Sequence, residues 1–128
     1  ALLLFALMLL WQIPHFCLVL LKHQNDYIHS DQPNFIKLLP ESRLRILSIA
    51  WIAGLAFVMM LFSVTLPNLI SGIKVLVFVN ALVWMVIILG QLEFKRSPSY
   101  ANVFISLNLM LTFHMITVVC GRFIVSFP

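Results

Sequence analysis

The chain has 128 residues, of which 62% are hydrophobic and 9% charged, with a formal net charge of +4. Its mean hydropathy is +1.08; a water-soluble domain would carry about 25% charged residues, so a soluble globular fold is excluded. In so apolar a chain the positive charge concerns membrane orientation and anionic partners, and nucleic acid is not an expected partner.

Four long apolar runs, residues 1–21, 44–66, 73–92 and 100–127, organise the sequence. Each approaches or exceeds the roughly 20 residues that a helix needs to cross a bilayer. None alternates as a membrane β-strand would. The expected fold is all-α: an integral membrane helical bundle, one domain with four transmembrane helices. The first run begins apolar at Ala1, without an initiator Met, a basic n-region or a cleavage site, so it does not read as a signal peptide. The chain reads instead as a piece of a longer protein with further helices upstream.

Trp11-Gln12-Ile13-Pro14-His15-Phe16 interrupts the first run with an indole, an amide, a proline and an imidazole. Polar groups at that depth are costly, so a functional role is the default expectation. Proline removes one backbone donor and frees a carbonyl. Trp11, His15, Lys22 and Asp26 are separated by 4, 7 and 4 residues. On a helix continuing past Lys22 they would share one face, running from a buried aromatic group to a charged mouth.

Residues 22–43 form the long polar loop, with Lys22, Asp26, Tyr27, Asp31, Lys37 and Arg43 among its members. Ser42 is the expected N-cap of the second span, and Pro40 an extended approach to it. The turn around Pro67-Asn68 and Ser71-Gly72 predicts an antiparallel hairpin of the second and third spans, and Ser97-Pro98-Ser99 a similar turn into the fourth. Lys95 and Arg96 give the third loop positive charge, whereas the second is uncharged. The positive-inside rule then puts the first and third loops on the cytoplasmic or matrix side. Within the spans, Asn80, Asn102 and Asn108 are expected to bond between helices, and Gly54 and Gly90 to admit close helix approach. Cys17 and Cys120 read as ordinary buried thiols.

Asp26 and Asp31, five residues apart beside Lys22, Lys37, Arg43 and Arg45, offer hard oxygen ligands and basic side chains next to an apolar pocket. Mg²⁺ commonly bridges one or two carboxylates to a phosphate, and a lipid diphosphate needs its head neutralised and its tail buried. Two Asp in a polar loop equally fit a purely structural role.

Trp-Gln-x-Pro-His-Phe, then Lys22-His-Gln-Asn-Asp26-Tyr27, then Pro33 and a span opening with Arg43 and Arg45, resembles the haem O synthase family. These are the protohaem farnesyltransferases of the intramembrane prenyltransferase superfamily. The resemblance covers essentially the whole chain and implies the C-terminal part of a bundle of roughly nine membrane helices. It implies farnesyl transfer from farnesyl diphosphate to a vinyl group of haem b, with Mg²⁺ as cofactor. The location would be a bacterial plasma membrane or mitochondrial inner membrane, and haem A synthase or oxidase assembly would lie downstream. Asp26, Lys22 and Tyr27 would be catalytic. Trp11, Gln12, His15, Lys37 and Arg43 would bind substrate, and Asp26 and Asp31 the metal. The superfamily's first Asp-rich motif would lie before residue 1, so these residues alone would be inactive. The loop departs from the family pattern: Ile28 to Phe35 is more polar, and the second proline, Pro40, comes several residues late.

Other readings stay open. The acceptor could be a quinone precursor or another aromatic ring. In a different class, His15 and His114 could ligate one haem in a bis-histidine membrane protein, although that reading has no use for the charged loop.

Overall fold

The computed structural model describes residues 2–29, 38–66, 69–93 and 98–126. Among them are five helices: α1 (Leu2–Lys22), α2 (Gln24–Ile28), α3 (Glu41–Thr65), α4 (Ser71–Glu93) and α5 (Tyr100–Ser126). The chain is all-α there, and α1, α3, α4 and α5 are each long and apolar enough to cross a membrane.

The helix ends follow local chemistry. α1 runs through Pro14; proline has no N–H, so the Leu10 carbonyl loses its intrahelical donor. α1 ends where the sequence turns polar, with a turn at His23 (φ −109°, ψ 24°) before the short α2. The expected unbroken helix from Trp11 to Asp26 is thus not formed. α3 starts earlier than expected: Pro40 is its N-cap, extended at φ −63°, ψ 153°. The Pro40 carbonyl accepts from the Arg43 and Leu44 N–H groups at 2.9 and 3.2 Å, which puts Ser42 inside the helix rather than at its cap. Glu41 then lies in the first turn, where the helix dipole favours negative charge.

The four long helices form a closed ring. α3 packs on α1 and on α4, α4 on α5, and α5 returns to α1. Leu7 and Leu18 of α1, Ile52 and Met59 of α3, Ile88 of α4 and Leu107 of α5 meet in the core, all fully buried. The outside is apolar too: Phe5, Ile46, Phe57 and Phe123 are 61–66% exposed. A water-soluble surface does not carry so continuous an apolar skin. A bilayer solvates it, and the protein is an integral membrane protein.

Polar side chains in the spans mostly bond their own helix, as they must where no water competes. Ser48 donates to the Leu44 carbonyl at 2.9 Å, Thr117 to Phe113 at 2.8 Å and Asn108 to Phe104 at 2.7 Å. Of the candidate interhelical asparagines, Asn108 folds back on its own helix, Asn102 is exposed, and the buried Asn80 Nδ2 has no partner. The longer Gln91 instead reaches across from α4 to Ser106 of α5, at 3.3 Å.

Close approach also falls elsewhere than expected. A Cβ on Gly54 would meet Leu10 Cδ2 at an ordinary 3.8 Å, and one on Gly90 would meet nothing within 4 Å. On Gly121 it would lie 2.8 Å from Ile73 Cγ2 and 2.9 Å from Leu69 Cδ2, so the α4–α5 seam requires glycine there. Cys17 is buried as expected, but Cys120 is exposed on α5.

Candidate functional site

Residues four apart on a helix lie one above the other, and α1 uses that spacing to stack Trp11 on His15. Their ring centroids are 4.5 Å apart at an interplanar angle of 50°. His15 continues the stack to Phe104 of α5, 4.7 Å away at 52°. Three rings therefore bridge the seam that closes the bundle. Trp11 Nε1 and His15 Nδ1 are both buried, and neither has a hydrogen-bond partner. Buried polar atoms are ordinarily satisfied, so the α1–α5 seam holds two polar atoms whose hydrogen-bonding capacity is unused in the packed bundle. Gln12, next to Trp11 in sequence, is exposed on the outer side of α1 and does not join this group.

His15 precedes Lys22 by seven residues, about 10 Å along the axis at 1.5 Å per residue. At the level of Lys22 the bundle opens in a cleft of about 510 Å³ lined by Leu21, Lys22, Gln24, Glu41, Pro98 and Tyr100. The Tyr100 hydroxyl donates to Glu41 Oε1 at 2.5 Å, tying α5 to α3. The Arg45 guanidinium donates to the Leu92 carbonyl, tying α3 to the end of α4. One end of the bundle thus gathers Lys22 of α1, Glu41, Arg43 and Arg45 of α3 and Glu93 of α4, with the Tyr100 hydroxyl of α5 beside them.

The sequence-predicted residues divide into groups. Trp11 and His15 come together, and Lys22 lies at the rim cleft directly above them. Asp26 projects from α2 into solvent with its side chain 81% exposed, 3.5 Å from His23 Nδ1. Tyr27 is half-buried on the same short helix, and Arg43 is exposed in the first turn of α3. Neither Arg43 nor Asp26 edges the rim cleft. Asp31 and Lys37 lie outside the described residues. Among the described residues no three His, Cys, Asp or Glu side chains gather as metal ligands. Asp26 therefore offers a single solvent-facing carboxylate outside the rim cleft.

Three contributors were not foreseen from the sequence. Phe104 completes the ring stack, and Glu41 with Tyr100 closes the rim. Their placement has one legible signal: each lies within the first turn or two of a span whose start must share an end with Lys22. His114, the other intramembrane histidine, is fully buried and meets Phe62 edge-on at 5.2 Å and 88°. It follows Phe104 by ten residues, about 15 Å of helix rise. The two histidines therefore sit on different levels, which counts against their ligating one iron.

No protein-family model, no curated protein and no solved structure matches this chain.

Proposed function

We propose that this chain belongs to an intramembrane prenyltransferase that moves a farnesyl group from farnesyl diphosphate to a vinyl group of haem b. The observation that carries the reading is the Trp11–His15–Phe104 stack, with two unpartnered buried N–H or N atoms, directly below a rim that holds Lys22. Flat aromatic walls suit an isoprenoid chain or a porphyrin face, because such surfaces are apolar and stack with offset geometry. A diphosphate needs cationic groups at the membrane surface, and Lys22 stands there. The resemblance in the Trp-Gln-x-Pro-His and Lys-x-x-x-Asp-Tyr elements supplies the identity of donor and acceptor.

In this reading Asp26 would hold Mg²⁺ against the diphosphate, and the metal's chemistry is to stabilise charge on the departing group. Lys22 binds the same diphosphate. Trp11 and Phe104 hold the apolar partner in place and exclude water from the reacting carbon. His15 orients the acceptor through Nδ1, and the lipid bilayer supplies the prenyl substrate laterally. The rim faces the cytoplasm or matrix, as the positive-inside rule requires.

The experiment is to supply the full-length protein, in membranes, with Mg²⁺, farnesyl diphosphate and haem b, and to search for farnesylated haem by mass. Product is expected with the native protein and its loss with Asp26→Ala. Unaltered turnover in Asp26→Ala removes the metal role. Transfer to a quinone precursor with none to haem replaces the acceptor.

A further inference from the structure

α1 carries two stripes. Leu7, Pro14, Leu18 and Leu21 are buried and face the rest of the bundle. Leu2, Phe5, Leu9, Gln12 and Phe16 are exposed on the opposite side. Their successive spacings are 3, 4, 3 and 4 residues, the a/d repeat of a coiled-coil seam. A stripe with that mean period of 3.5 stays in line when a second helix follows it in a left-handed crossing. Leu2, Phe5, Leu9 and Phe16 are 43–81% exposed. Gln12 differs from them in kind. It lies ten residues before Lys22, about 15 Å along the axis, near the middle of a hydrocarbon core about 30 Å thick. Among the described residues nothing hydrogen-bonds its amide, whereas Ser48, Thr117 and Asn108 reach carbonyls of their own helices. Acyl chains carry neither donors nor acceptors, so lipid leaves the amide unsatisfied at a cost.

We propose that this stripe is the interface of a symmetric dimer, in which α1 packs in parallel on α1 of a second copy and the two Gln12 amides hydrogen-bond to each other. Copies of one chain enter a membrane in the same orientation, so the two-fold axis that relates them runs along the bilayer normal. Across such an axis equivalent residues meet at equal depth. The polar group at the centre must therefore complement itself. A carboxamide does so, because its NH₂ donates and its carbonyl accepts. A helix of another kind would have to bring its own polar group to that depth; a second copy brings it by symmetry. Phe5, Leu9 and Phe16 supply the packing on either side, and a single polar residue in an apolar seam fixes register and oligomeric state. The ring stack faces α5, away from this stripe, and the proposal does not depend on the prenyltransferase reading.

Cysteine cross-linking of the full-length protein in liposomes tests the proposal, with Cys120→Ser removing the exposed thiol of α5. Leu9→Cys places a thiol in the seam and should give a disulfide-linked species of twice the mass on mild oxidation. Leu4→Cys should give none: it is 44% exposed but lies five residues earlier, on another face of the helix. Energy transfer between donor- and acceptor-labelled copies, followed across lipid dilution, measures the association. Gln12→Leu should weaken it by about fivefold, the scale of one interhelical hydrogen bond in a membrane. Gln12→Asn, which keeps an amide, should retain most of it. Circular dichroism of every variant should match the native protein, so that a loss of dimer is not a loss of fold. A monomer throughout, as follows if another helix of the same polypeptide covers the seam, overturns the proposal. So does equal cross-linking at Leu4→Cys, or association that Gln12→Leu leaves unchanged.

Discussion

The sharpest consequence of the packing concerns one substitution made at two glycines. Gly121→Ala places a Cβ 2.8 Å from Ile73 Cγ2 and 3.1 Å from Ile73 Cδ1, well inside the roughly 3.5–4.0 Å of an ordinary carbon contact. Leu69 Cδ2, at 2.9 Å, is the far end of a flexible side chain and can turn away. Ile73 Cγ2 is attached to Cβ, and a β-branched residue in a helix has essentially one χ1 rotamer. Relief therefore requires α4 and α5 to move apart. Overpacking of this kind costs about 1–3 kcal/mol, and alanine's better helix propensity returns about 0.5–1 kcal/mol. The net expectation is a destabilisation of about 0–2.5 kcal/mol. Gly90→Ala meets nothing within 4 Å, so only the propensity term acts and the protein should become more stable by up to about 1 kcal/mol. Reversible unfolding in mixed micelles, followed by circular dichroism, measures both. Equal shifts for the two variants, or a more stable Gly121→Ala, would refute the seam geometry.

Three further outcomes follow from the site and its surroundings. His15→Phe keeps a ring between Trp11 and Phe104 but removes Nδ1. Its unfolding midpoint should stay near native while farnesyl transfer falls at least about tenfold, the scale of one positioned hydrogen bond lost at a reacting group; full activity removes His15 from the site. Tyr100→Phe deletes the donor to Glu41 and should cost about 1 kcal/mol at this half-open rim, with Glu41→Gln costing less because an acceptor remains. Equal losses in that pair would show that charge, not the hydrogen bond, holds α5 to α3. His114→Phe replaces a fully buried imidazole, whose two ring nitrogens have no partner, with an apolar ring beside Phe62. Stability should hold or rise, since burying unpaired polar atoms costs about 1–3 kcal/mol each. A large loss in calorimetry would mean that His114 is bonded in the folded protein.

Periodicity and composition made the spans legible, and their ends were legible only in part. The second span begins at Glu41 rather than Leu44 because Pro40, held extended, starts the helix before any serine cap can. The candidate site was half legible. Trp11 and His15 were found because polar groups in an apolar run are conspicuous and four-residue spacing stacks them. Asp26 was placed on their stripe by assuming one continuous helix, and the turn at His23 sends it into solvent. Asn108 was a candidate to join the helices, but its short side chain bonds its own backbone, and Gln91 makes the crossing.

By itself the sequence determined that the chain is helical and lives in a bilayer, because burying so much apolar surface and satisfying every backbone amide without water leaves few alternatives. It also determined that the charges lie toward the span ends, since they cannot remain in hydrocarbon. Only the tertiary structure decided that α5 closes the ring on α1, bringing Phe104 onto His15 and Tyr100 onto Glu41. The same packing made Gly121, and neither Gly54 nor Gly90, the point of close contact. Apolar faces are nearly uniform around these helices, so hydrophobic pattern carries little information about rotation. Shape complementarity between side chains, a property of pairs of helices and not of any one of them, sets it.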